Sequence, residues 1–176
     1  MAEHMGSTEH PAPDDILEQG LAAIGAYITG DFARIDAALR RLDEAELKEL
    51  DAYIRLARYG LFRLPSFRGV VYRGCDLPRE ALDQYVPGTI VVERTFISAT
   101  ADPAGRFPGN TTFVIACVNG RDVSSLGDNP EEREVVFFAG TWFKVLATEH
   151  DTRADDWYIY LAEIPDTTLL QGDTGE

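Results

Sequence analysis

The fold turns on one stretch, Leu61-Phe62-Arg63-Leu64-Pro65-Ser66-Phe67-Arg68-Gly69-Val70-Val71-Tyr72-Arg73-Gly74. Before it, apolar residues recur with helical spacing; after Pro65 they crowd into short runs rich in β-branched and aromatic residues. Working upstream, Leu17, Leu21, Ile24 and Ile28 lie on one helical face, and Gly30 is expected to end that run. Phe32, Ile35, Leu39 and Leu42 form a second face. Leu47, Leu50, Ile54, Ala57 and Leu61 form a third, behind Asp43, which can cap the first turn with Glu46 three residues on. Three amphipathic helices are predicted between Asp14 and about Arg63. Their outer faces carry mixed charge (Arg40, Arg41, Glu44, Lys48, Arg55, Arg58), as a solvated surface does.

Working downstream, the runs GVVYRG, TIVV, TFIS, TTFVIACV, EVVFF, TWFKVLAT and WYIYLAEI are separated by Gly, Pro, Asn and Asp. No helices alternate with them, which disfavours a doubly wound parallel sheet. The predicted class is α+β, with a helical lobe (14–63) followed by a mainly antiparallel β-sandwich core (66–165). Residues 1–13 are expected to be a flexible tail or cloning scar, and 166–176 a polar tail.

Composition narrows the function. The chain has 176 residues, 45% hydrophobic and 10% aromatic, which is the composition of one globular domain. Its 16 Lys and Arg against 30 Asp and Glu give a net charge of −14, which disfavours nucleic acid and anionic membranes as partners. Cys75 and Cys117 offer neither a disulfide framework nor metal-ligand spacing, so both are expected to be reduced packing residues. No run approaches the roughly 18 apolar residues of a membrane span, and the N-terminus has no apolar signal core; a soluble chain without a Sec-type address is expected. His4 and His10 read as incidental. His150 has no nucleophile at triad spacing, Trp142 and Trp157 read as core or sheet-face residues, and no glycine-rich phosphate loop is present.

Three stretches of the β half are chemically unusual. Tyr72 and Arg73 end an apolar strand and should point to opposite faces, with Gly74 allowing close approach to the backbone. In Phe96-Ile97-Ser98-Ala99-Thr100 the two hydroxyls share a face with Phe96 and could orient a carboxylate or a ribose. In Glu131-Glu132-Arg133-Glu134-Val135 the carboxylates of Glu132 and Glu134 would project to one side at the start of a strand, with Arg133 opposite. Such a pair invites a cation between its members. Each stretch also has a bland reading, as a surface ion pair, a polar edge strand or a charged loop.

In this order the three stretches resemble the R-S-E class of mono-ADP-ribosyltransferases, which includes arginine-specific bacterial toxins. The resemblance runs from about residue 14 to 165 and also includes Tyr27-Ile28-Thr29 with Ile35 and Leu39-Arg40, the approach from Gly88 to Phe96, and the segment from Val135 to Phe143. This sequence departs from the Ser-Thr-Ser element at Ala99, which should point away from the Ser98 side, and at Thr100.

The resemblance implies that NAD is a consumed co-substrate and that no metal is needed. Glu134 would be the catalytic glutamate, held by Ser98, and Arg73 would bind the phosphate and ribose region. Thr100 would contribute to cofactor binding. Gly74 would meet the nicotinamide amide through its backbone, with Phe107 on the nicotinamide ring and Arg106 near phosphate. Glu132 would engage an acceptor arginine, and the loop from Val123 to Glu131 would recognise the target. The implied partners are a protein bearing an acceptor arginine and an immunity protein. The implied setting is a toxin or effector delivered by a specialised secretion system, or within a larger toxin, into a target-cell cytoplasm. NAD glycohydrolysis, transfer to a nucleic acid and a non-catalytic binding domain are the competing readings.

Overall fold

The structure, a computed structural model, describes residues 12–166. The expected tails, with His4 and His10, lie outside the described residues except for Ala12, Pro13 and Asp166. The helical lobe comprises α1 (Pro13–Ala26), α2 (Phe32–Arg41) and α3 (Glu44–Arg63). Gly30 does not end a helix as expected. Residues Tyr27–Asp31 form a π-helical turn that carries α1 directly into α2. A π-helical turn takes more residues than an α-helical one, so it shifts the phase of the helical faces.

Asp43 caps α3 as its sequence context predicts, accepting a hydrogen bond from the Glu46 amide at 3.1 Å. At the other end Leu64 is already extended, the conformation favoured for a residue before proline. Helices α1 and α3 cross at Gly20 and Gly60 with their backbones in contact. A Cβ on Gly60 would lie 2.2 Å from the Gly20 carbonyl. The Tyr53 hydroxyl adds a 2.7 Å bond to the Ala23 carbonyl across the same pair.

The β core contains β1 (Gly69–Cys75), a short helix α4 (Arg79–Leu82), β2 (Ile90–Glu93), β3 (Ile97–Thr100), β4 (Thr111–Cys117), β5 (Arg121–Asp122), β6 (Glu134–Phe137), β7 (Thr141–Asp151) and β8 (Asp156–Glu163). All seven expected runs form strands, although the one expected from Thr95 starts at Ile97 and reaches Thr100. Helix α4 and the two-residue β5 have no counterpart in the periodicity, being too short to show one. The strand order is β2-β7-β8-β4-β1-β3-β6-β5, and every pairing is antiparallel except β4 with β8.

One junction in this sheet is narrow. Strands β1 and β3 share a single register pair, Tyr72 with Thr100. There the sheet folds, so that its two halves close on a common core containing Val71, Ile97, Phe113, Phe137, Phe143 and Ile159. The opposite face of the β3, β6 and β5 half packs Phe96, Val136 and Phe138 against Ile24, Tyr27 and Leu61 of the helical lobe. Phe96 thus faces the lobe while Ile97 and Ala99 face the sheet core, the alternation expected of this strand.

Candidate active site

The fold in the sheet opens a cavity of about 690 Å³ between the helical lobe and the β1–β3 junction. Arg73, Gly74, Ser98, Thr100, Arg106, Phe107, Glu132 and Glu134 all line it, so every candidate site residue converges there. Its volume is in the range of ordinary small-molecule sites.

At its centre the Ser98 hydroxyl donates to the Glu134 carboxylate. Burial pushes the Glu134 carboxyl above its usual range; the Ser98 hydrogen bond opposes the rise and the Glu132 charge adds to it. The Arg73 guanidinium donates to the Ser98 carbonyl at 2.9 Å, which places a cation beside the same residue. Tyr72 and Arg73 both line the cavity despite pointing to opposite faces, because the sheet is folded beside them.

Glu132 differs from its expected placement. It is not on the strand with Glu134 but ends a 3-10 turn, Pro130–Glu132, capped by the Asn129 side chain. Arg133 then takes a left-handed conformation (φ 48°, ψ 49°), and β6 begins at Glu134. The left-handed residue, rather than strand periodicity, brings both carboxylates to one cavity.

The Thr100 side chain is buried and its hydroxyl is engaged by protein. It donates to the Glu132 carbonyl at 2.7 Å and accepts from the Asp102 amide at 3.0 Å. Gly74 is approached by the protein itself, since a Cβ there would lie 1.6 Å from the Phe107 carbonyl. The loop carrying Arg106 and Phe107 therefore rests on the β1 backbone. Arg106 donates to the Thr112 hydroxyl at 3.2 Å and to the Pro103 carbonyl at 3.1 Å, and Phe107 is 77% exposed at the mouth. Asn110 fixes the end of this loop, its side chain bonding both the amide and the carbonyl of Leu77.

Among the described residues no group of three or more His, Cys, Asp or Glu could hold a metal ion. No helix among them is long and apolar enough to cross a membrane.

No family profile matches the chain. Over 164 residues, 90% of its length, it is 34% identical to Mav of Mycobacterium avium (strain 104), a protein named as an NAD(+)–arginine ADP-ribosyltransferase, of which it spans 19%. Over 133 residues, 74% of its length, it is 31% identical to the NAD(+)–protein-arginine ADP-ribosyltransferase Tre1 of Pseudomonas putida (strain GB-1), of which it spans 26%. The fold matches that of Vis, an ADP-ribosyltransferase toxin from Vibrio splendidus solved with agmatine, at a TM-score of 0.73 and 17% identity over 92% of this chain and 90% of that one. The chain carries an ADP-ribosyltransferase domain. It spans less than a third of the curated relatives it matches.

The ADP-ribosyltransferase cleft has further walls that the sequence did not mark as site residues, although Tyr27 belongs to the Tyr27-Ile28-Thr29 segment of the resemblance. Tyr27, Asp36 and Cys75 line it as well. The Tyr27 hydroxyl bonds Asp36 at 3.1 Å and the Phe96 carbonyl at 3.2 Å, which ties the π-helical turn to the residue before β3. Burial raises the pKa of Asp36, opposed by the Tyr27 hydrogen bond and by the charges of Arg40 and Arg73. One sequence signal was available for Asp36: a carboxylate four residues after Phe32 sits on the apolar face of its helix. Cys75 is free and half-buried, packing against the sheet core as expected while also lining the cleft, whereas Cys117 is buried within that core. His150 lies away from the cleft, stacked on Trp157 with ring centroids 4.3 Å apart and bonded to Asp155 at 2.8 Å. Trp142 is an exposed sheet-face residue.

Proposed function

We propose that this domain cleaves NAD and transfers its ADP-ribose to an arginine of a target protein. The observation that carries the reading is the Ser98 hydroxyl bound to the Glu134 carboxylate, with Arg73 and Glu132 in the same cleft. Breaking the C1′–nicotinamide bond leaves its electron pair on nicotinamide and positive charge on the ribose. A carboxylate already fixed beside that charge stabilises it without reorganisation. Ser98 fixes Glu134, and Glu134 would bond the ribose 2′-hydroxyl. Arg73, with Arg106 at the rim, supplies the positive charge that a dianionic pyrophosphate requires within a protein of net charge −14.

An acceptor guanidinium is protonated at neutral pH, so its nitrogen becomes nucleophilic only as the proton departs. Glu132 is exposed at the cleft, where it can pair with the guanidinium and take that proton as the nitrogen attacks C1′. The relatives named as arginine ADP-ribosyltransferases support an arginine acceptor, and a neutralising immunity protein would suit a toxin. Nicotinamide release from NAD, measured with and without agmatine, tests the reading. Release accompanied by ADP-ribosyl-agmatine is expected. Release indifferent to agmatine would identify a glycohydrolase instead, and no release would end the enzymatic reading.

A further inference from the structure

Strands β1, β4, β8, β7 and β2 pack one face on the sheet core and turn the other outward. Strand register defines that outer face. Tyr160 pairs with Val114, Val114 with Tyr72, Tyr72 with Thr100, and Thr100 with Glu134. A single cross-strand row therefore leads from the outer face to the carboxylate in the cleft. A second row, Ile90, Lys144, Ala162, Ala116 and Val70, crosses the same five strands, and Val92 opposes Trp142.

Apart from Glu134 at the cleft, Lys144 is the one charged side chain in these rows, although 26% of the chain is charged. The next row, Gly74, Thr112, Tyr158 and Glu149, adds one carboxylate, which accepts from the Tyr160 hydroxyl at 3.2 Å. None of the outer side chains belongs to either core cluster. Ile90 and Trp142 are each 54% exposed, Val70 47% and Val92 46%. A largely apolar face with tyrosine and tryptophan, flanked by Lys144 and Glu149, has the composition of an interface centre, and monomers seldom leave one bare.

We propose that this face, from Val92 and Trp142 across to Tyr72, docks the acceptor protein, and that the acceptor meets it with a charge-poor apolar patch inside a basic rim. The inference rests on reading the cleft as an arginine-directed transferase. Continuity selects this occupant: Tyr72 belongs to the face and also lines the cavity, so a protein seated on the face reaches the cleft beside it. Charge selects against a second copy. Two chains of net charge −14 repel, whereas a basic rim is drawn in. A small guanidino acceptor has no use for the face, so the two acceptors should respond differently to its disruption.

The test uses Val92→Lys and Trp142→Lys, neither of which touches the cleft. Leu42→Lys, at an exposed apolar residue on the α2–α3 turn, serves as control. Each protein is given biotin-labelled NAD with agmatine, and separately with a pooled extract of bacterial and animal cells. Agmatine modification is expected to stay at the parent rate in all three. Protein labelling is expected to fall on the order of tenfold or more in the two face variants, as when a central aromatic anchor is lost, and to persist in Leu42→Lys. Four results overturn the proposal: unchanged protein labelling by the face variants, an equal fall for agmatine and protein, labelling of no protein by a parent that modifies agmatine, and a sedimenting dimer dispersed by Trp142→Lys. Failure of the parent to modify agmatine would instead remove the arginine-transferase reading itself.

Discussion

Thr100 and Glu132 are joined by a partly buried hydrogen bond, the Thr100 hydroxyl donating to the Glu132 carbonyl at 2.7 Å. The strand that presents Ser98 thus also anchors the turn that presents Glu132. Thr100→Val keeps the shape and removes the hydroxyl, leaving the Glu132 carbonyl and the Asp102 amide without this partner. The cost should be about 1–3 kcal/mol of stability. Arginine transfer should fall more than NAD hydrolysis, because Glu132 moves while Glu134 remains held by Ser98. Thermal unfolding and the transfer-to-hydrolysis ratio check this; an unchanged ratio would contradict it.

Glu134→Gln preserves a side chain that can still bond Ser98, so the fold should persist with its melting temperature little changed. Loss of the negative charge should reduce nicotinamide release on the order of 100-fold or more, with or without agmatine. Glu132→Gln should spare release while abolishing transfer to agmatine. Equal loss of the two activities in Glu132→Gln would show that Glu132 has a different role.

The pH dependence follows from the raised pKa of Glu134, which burial produces, the Ser98 hydrogen bond opposes and the Glu132 charge increases. The ionised carboxylate is the active form, so NAD cleavage should decline as pH falls through a value above that of an ordinary glutamate. Glu132→Gln removes one raising cause and should move this acid limb to lower pH. Stability has the opposite sign. A carboxyl whose folded pKa exceeds its unfolded one disfavours the fold when ionised, and the cost is relieved as pH falls through the folded pKa. Rate profiles for the two proteins are the measurement, and an acid limb that stays in place or rises in Glu132→Gln contradicts the coupling.

Gly74→Ala places a methyl against the Phe107 carbonyl, where the gap is only 1.6 Å. Either β1 or the loop must move. Because Arg106 and Phe107 travel with that loop, the Michaelis constant for NAD should rise several-fold or more. Steady-state kinetics with varied NAD would expose the effect, and an unaltered constant would mean that the loop does not contribute to NAD binding.

Gly60→Ala forces apart the backbones of α1 and α3 at their crossing, where the added carbon would lie 2.2 Å from Gly20. Overpacking of this kind costs about 1–3 kcal/mol, and backbone offers less relief than a side chain. At Gly25 of α1 a Cβ meets nothing within 4 Å, so Gly25→Ala should stabilise by up to about 1 kcal/mol through helix propensity. Opposite shifts in melting temperature are expected. Shifts of the same sign would refute the crossing as the cause.

The helical lobe, seven of the strands and the residue types of the cleft were legible in the sequence because each depends on local pattern. Helical spacing, strand alternation and turn residues act over a few neighbouring positions, and Ser98 with Ile97 and Ala99 took the faces that alternation assigns. The π-helical turn after Ala26, the left-handed Arg133 between the two glutamates and the engagement of the Thr100 hydroxyl were not legible, since each is decided by contacts distant in the chain. Asp36 and Cys75 became cleft residues for the same reason. Tertiary structure alone decided that β1 and β3 meet at one pair, Tyr72 with Thr100. That narrow junction folds the sheet, opens the cavity and lets one cross-strand row join an outward apolar face to Glu134.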